Sequence, residues 1–83
     1  MIIALDYDGT YTKDPELWDK FIELFQNEGH RVAIVTMRYD IPSEWIDNVK
    51  VPVIYTGRKA KKPFLNADIW IDDTPHYIYQ DAL

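Results

Sequence analysis

From Ile2 to Leu5 the apolar residues run without alternation and stop at Asp6, the pattern of a short strand covered on both faces. Asp14, Pro15 and Glu16 then supply an N-cap, a first-turn proline and a first-turn acid, and Leu17, Phe21, Leu24 and Phe25 recur at helical spacing. Gly29 ends the predicted helix. A second apolar run, Val32 to Val35, stops at Thr36, and the connection between the two runs is short enough for a right-handed crossover to a parallel neighbour. Asp40 or Ser43 with Pro42 opens a predicted short helix reaching about Asn48, and Val51 to Tyr55 forms a third strand closed by Thr56 and Gly57. Arg58 to Asn66 is expected to be a basic helical turn. Asp68 to Ile71 is the last strand, ended by Asp72, Asp73, Thr74 and Pro75, and His76 to Leu83 fits a terminal helix and an edge strand equally well.

Strands alternating with short helices, with no repeat or low-complexity stretch, predict a single α/β domain over residues 1–83. The expected architecture is a three-layer α/β/α sandwich around a small parallel, Rossmann-like sheet of four strands. In such sheets ligands gather beyond the carboxyl ends of the strands. The residues in that position are Asp6, Asp8, Thr36, Asp72 and Asp73.

Composition narrows the chemistry. No apolar run exceeds five residues, against the roughly 18 a membrane span needs, so the chain is expected to be soluble and cytoplasmic, without a membrane partner. With no cysteine, disulfides, thiol nucleophiles and thiolate metal sites are all excluded. A net charge of −5 argues against non-specific nucleic-acid binding by phosphate neutralisation. Setting Asp6, Asp8, Asp72 and Asp73 aside leaves ten acidic against nine basic residues, so the imbalance is concentrated at the strand ends. Carboxylates about 4 Å apart repel by about 4 kcal/mol per pair even at an effective dielectric near 20, so such a cluster calls for a cation. Oxygen ligands select magnesium.

The string Asp6-Tyr7-Asp8-Gly9-Thr10 resembles the first motif, Asp-x-Asp-Gly-Thr, of the haloacid dehalogenase-like (HAD) superfamily of phosphotransferases. Ile34-Val35-Thr36 resembles its second motif, a lysine within Lys59-Ala60-Lys61-Lys62-Pro63 its third, and Ile69-Trp70-Ile71-Asp72-Asp73 its acidic fourth. The resemblance covers nearly the whole chain. It implies a phosphatase acting on a phosphorylated substrate, with Asp6 attacking phosphorus and Asp8 protonating the leaving oxygen before activating water. Gly9 would let both carboxylates face one pocket, and Thr36 and a lysine would bind the phosphoryl group. Lys61 is preferred for that lysine, ahead of Lys62 and Lys59, and Arg38 is a further candidate for substrate contact. Magnesium would be held by Asp6, Asp8 (through its carbonyl) and Asp72, with Asp73 the alternative at the fourth motif.

The chain departs from the family in carrying no cap insertion after the first or third strand. An open site suits a phosphorylated macromolecule, or a cap lent by another subunit in a homo-oligomer. Two rival readings have similar parts. A phosphorylation-receiver domain needs its phosphoacceptor aspartate on a middle strand, and Val51 to Tyr55 ends without one. A non-catalytic module that kept the fold and its motifs has the same sequence signature as an enzyme.

Overall fold

The computed structural model describes residues 1–83. The unalternating run Ile2–Leu5 forms β1, which lies inside the sheet with β2 (Arg31–Thr36) on one side and β4 (Ile69–Ile71) on the other; β3 (Val53–Tyr55) lies beyond β2. All pairings are parallel, in the order β3-β2-β1-β4. This is the expected four-strand parallel sheet. Its register sets Ile3 beside Val32 and Ile69, and Leu5 beside Ile34 and Ile71, so these side chains share one face. On the other face small residues sit at the centre, Ala4 paired with Ala33 on one side and with Trp70 on the other.

A single α-helix, α1 (Pro15–Asn27), packs on the first face. Asp14 caps it by accepting the Leu17 N–H at 3.2 Å, and Pro15 occupies the first turn, where its missing N–H costs nothing. At the far end Gly29 takes φ +86°, its N–H donates to the Gln26 carbonyl, and the His30 N–H donates to that of Phe25, a Schellman closure. The buried stripe differs from the predicted one. Ile22 is in the core with Trp18, Phe21 and Phe25 against it, whereas Leu17 and Leu24 are more than half exposed. Rotating the helix toward Trp18 and Ile22 covers more aromatic surface than the leucine pair would, and apolar area decides which face goes in.

The second helical layer of the expected sandwich is absent from the element order. Between β2 and β3 there is only a 3₁₀ turn, Pro42–Glu44, and between β3 and β4 only another, Lys62–Phe64. The first cannot lengthen because the Ile46 N–H, which would continue it, donates to the Tyr55 hydroxyl at 2.8 Å. The C-terminal segment is neither an α-helix nor a strand: Pro75–Ile78 forms a 3₁₀ turn that buries Ile78. No helix is long and apolar enough to cross a membrane.

Candidate active site

The loop after β1 is folded tightly back on itself. The Asp6 N–H continues the ladder to the Ile71 carbonyl at 2.9 Å, the Thr10 and Thr12 N–H groups return to the Tyr7 carbonyl, and Gly9 turns the chain at φ +85°. A side chain at Gly9 would be strained at this φ and would push the Asp73 carboxylate aside, since a Cβ there would lie 2.5 Å from Asp73 Oδ2. Tyr7 and Tyr11 stack beneath the loop at 5.6 Å; the Tyr11 hydroxyl donates to Asp19 at 2.7 Å and, buried, is pushed up to about 12. These contacts fix Asp6 as the first residue past the strand.

Asp6 and Asp72, one residue beyond β1 and β4, meet at a single ammonium. Lys61 Nζ donates to Asp6 Oδ1 at 2.7 Å and to Asp72 Oδ2 at 2.6 Å, and its side chain is only 3% exposed. Its backbone is held from the C-terminal segment, the Lys61 N–H donating to the Tyr77 carbonyl and the Ala60 N–H to Asp81. Of the three candidate lysines only Lys61 reaches the acids. Lys59 forms a 3.7 Å surface pair with Asp81, and Lys62 is exposed and lies outside the cleft.

Thr10 Oγ1 lies 3.0 Å from Asp6 Oδ2 and 3.2 Å from Asp73 Oδ1, and accepts the Asp73 N–H at 3.1 Å. One hydroxyl proton cannot serve two carboxylates at once. Burial pushes Asp6 up to about 6, and its hydrogen bond with Asp73 adds to the rise, outweighing the pull of Lys61. Asp73 moves the opposite way, below the usual carboxylate range, chiefly because it accepts that hydrogen bond. Below about pH 6 a proton between the two carboxylates therefore rests on Asp6 and not on Asp73.

Asp8 is placed apart from this cluster. Its carboxylate is 56% exposed and is gripped by Arg38, whose Nε and Nη2 donate to its two oxygens at 2.9 and 2.8 Å. Arg38 also donates to the Glu44 carbonyl and lies 5.0 Å above the Tyr7 ring. Its guanidinium is held even more firmly charged than usual by Asp8. Thr36, 2% exposed at the end of β2, accepts the Arg38 N–H at 3.3 Å, and its own hydroxyl proton has no protein acceptor.

Asp6, Asp8, Thr36, Arg38, Lys61, Asp72 and Asp73 line one cleft of about 550 Å³, with Ser43, Arg58, Thr74 and Tyr77 around it. Oxygens of Asp6, Asp72 and Asp73 lie within 4.8 Å of one another, a hard-donor set that suits magnesium, and the absence of a Cβ at Gly9 keeps Asp73 in that group. Asp8 is expected at the metal through its carbonyl only; its carboxylate, the expected acid/base, is paired with Arg38. Sequence reasoning gave Thr10 no role beyond its place in the motif, and it gave none to Tyr77 or Asp81, which position Lys61. Thr10 was detectable, standing four residues past Asp6 in an otherwise assigned string. The C-terminal contacts had no local signal. Comparison with protein-family models, with curated proteins and with solved structures gives no match.

Proposed function

We propose that this chain is a phosphohydrolase of the HAD type, reduced to one helical layer and without a cap, that cleaves phosphate monoesters through an aspartyl phosphate on Asp6. The observation that carries the reading is the buried Lys61 ammonium bridging Asp6 and Asp72 at the carboxyl ends of two adjacent parallel strands. A lysine is seldom as little as 3% exposed even when paired, and a cleft that places this ammonium beside the free Thr36 hydroxyl suits an anion.

In this mechanism an Asp6 oxygen attacks phosphorus as the bond to the leaving oxygen breaks, and Asp8 gives that oxygen its proton. Asp8 then takes a proton from water, whose oxygen attacks the phosphorus, freeing inorganic phosphate and regenerating Asp6. Thr36 donates to a phosphoryl oxygen, and Lys61 offsets the charge that phosphate and Asp6 share. Magnesium held by Asp6, Asp72 and Asp73 would neutralise charge on the equatorial oxygens. Asp6 must lose its proton to attack, which at neutral pH it has largely done.

A second reading is a phosphate-binding module without turnover, favoured by the closed Asp8–Arg38 pair, which keeps the acid/base away from the reacting centre. Hydrolysis of 4-nitrophenyl phosphate with added magnesium, compared with Asp6→Asn, separates the two. Activity lost in the variant supports the enzyme; activity that survives the substitution removes Asp6 as nucleophile. A crystal soaked with beryllofluoride and magnesium should carry the adduct on Asp6.

A further inference from the structure

Thr56 to Lys59 form a β-turn in which the Lys59 N–H returns to the Thr56 carbonyl at 3.3 Å, with Gly57 at φ +59° and Arg58 at φ +72°. Positive φ at both central positions belongs to type I′, a turn dominated by glycine, asparagine and aspartate because longer side chains clash there. Arg58 is the only non-glycine residue of the chain with positive φ. It is pinned from two sides, its N–H donating to the Met37 carbonyl at 2.9 Å and its carbonyl accepting the Ala82 N–H at 2.8 Å. Strain maintained by surrounding contacts points to a use for the side chain.

Arg58 is exposed and is one of the residues lining the cleft. Three cations do so, and two are engaged: Arg38 by Asp8, Lys61 by Asp6 and Asp72. Arg58 forms no ion pair, although five carboxylate residues line the same cleft. Its planar fork of donors is therefore open to a ligand, and that fork matches phosphate or carboxylate in bidentate fashion. A space of about 550 Å³ holds a molecule larger than a single phosphate.

We infer that Arg58 is a specificity-determining residue that binds a second oxyanion of the substrate, so that favoured substrates are phosphate monoesters bearing another phosphate or a carboxylate on the leaving group. The inference rests on the phosphohydrolase reading, in which the transferred phosphoryl group lies at Asp6, Thr36 and Lys61 and the remainder extends toward Arg58.

Two substrate pairs test it and separate the two oxyanions. Fructose 1,6-bisphosphate against fructose 6-phosphate reports a second phosphate, and 3-phosphoglycerate against glycerol 3-phosphate a carboxylate. The expected kcat/KM ratio is about tenfold in at least one pair, from a charge-assisted hydrogen bond. It falls to about one in Arg58→Gly, with Arg58→Lys in between. Glycine satisfies the turn, so this variant should melt higher than the parent, and an arginine with a purely structural role would leave the ratio where it was. No preference in the parent, or a preference intact in Arg58→Gly, overturns the inference. Calorimetric binding of the same pairs to Asp6→Asn, with and without Arg58→Gly, reads the preference without turnover. An Arg58-dependent preference in a chain that hydrolyses nothing removes the phosphohydrolase reading alone; hydrolysis without such a preference removes the Arg58 assignment alone.

Discussion

Asp6 and Asp8 leave β1 two residues apart, yet Asp6 is 8% exposed and locked among Lys61, Thr10 and Asp73, whereas Asp8 is more than half exposed and held by Arg38 alone. In the inner half the Asp6, Lys61 and Asp72 side chains are buried and their charges answer one another at short range, with Asp73 at the exposed edge. The outer half is wet, so its one strong pair is screened and exchangeable. The contrast matches the proposed division of labour. A nucleophile gains from fixed geometry and from partners that need no reorganisation, while a group that serves first as acid and then as base must be able to move.

Substitutions should expose the contrast most sharply in turnover. Asp6→Asn is expected to lower kcat by more than about 10³-fold, as removal of a covalent nucleophile does. Asp8→Asn should cost about 10²-fold, within the usual contribution of general acid–base catalysis. Single-turnover rates on 4-nitrophenyl phosphate check both, and equal losses at the two positions would erase the distinction between the halves.

The inner half should also dominate stability. Lys61→Met leaves Asp6 and Asp72 facing each other without their shared cation, and breaking a buried pair in this way costs about 3 to 5 kcal/mol. In a domain this small the melting temperature falls by roughly 12 °C or more. Added magnesium should restore part of the loss by standing in among the carboxylates. A variant that melts within a few degrees of the parent would mean that the three charges are not desolvated.

Titration gives the next largest effect. Asp6 rises from 3.8 to about 6 on folding, so between those values the folded chain binds a proton that the unfolded chain has released. Its contribution therefore turns unfavourable as pH climbs from about 4 to about 6, by about 3 kcal/mol in all. Asp73, held below its ordinary value, has the opposite sign and loses its stabilisation on acidification. Denaturant melts of the parent and Asp6→Asn across this window isolate the Asp6 part. The parent should lose ground to the variant up to about pH 6 and stay level above it, and a constant gap would mean that Asp6 is not perturbed.

How much of this could be read along the chain follows the range of the interactions. The four strands, the Asp14 cap and the Gly29 stop are local patterns, and each stands within two residues of its expected place. Of the predicted α1 stripe Phe21 and Phe25 pack on the core, while Leu17 and Leu24 give way to Trp18 and Ile22, which fit the helical period equally well, and only the sheet decides between them. The helix missing between β2 and β3 is blocked by a contact nine residues on, Tyr55 taking the Ile46 N–H. Strand-end placement alone marks Asp6, Thr36 and Asp72 in the sequence. It carried no sign that Asp8, in the same short motif, would turn outward to Arg38, since that choice depends on where a residue 30 positions away is held.

The smallest expected effect is the one that tests the outer half directly. Arg38 and Asp8 form a bidentate pair, the geometry in which a surface ion pair is strongest, but with Asp8 56% exposed the attraction is shared with water and salt. A double-mutant cycle over Arg38→Ala and Asp8→Asn should give a coupling of about 0.2 to 1 kcal/mol in stability, shrinking further in 0.5 M salt, where the Debye length falls to about 4 Å. A pair this weak opens readily, so Asp8 can leave Arg38 to meet the leaving group, and an arriving phosphate can take the guanidinium in its place. A coupling above about 2 kcal/mol that resists salt would describe a lock instead. Asp8 would then be a structural partner of Arg38, the acid/base assignment would fall with it, and the cleft would be suited to holding a phosphate without cleaving it.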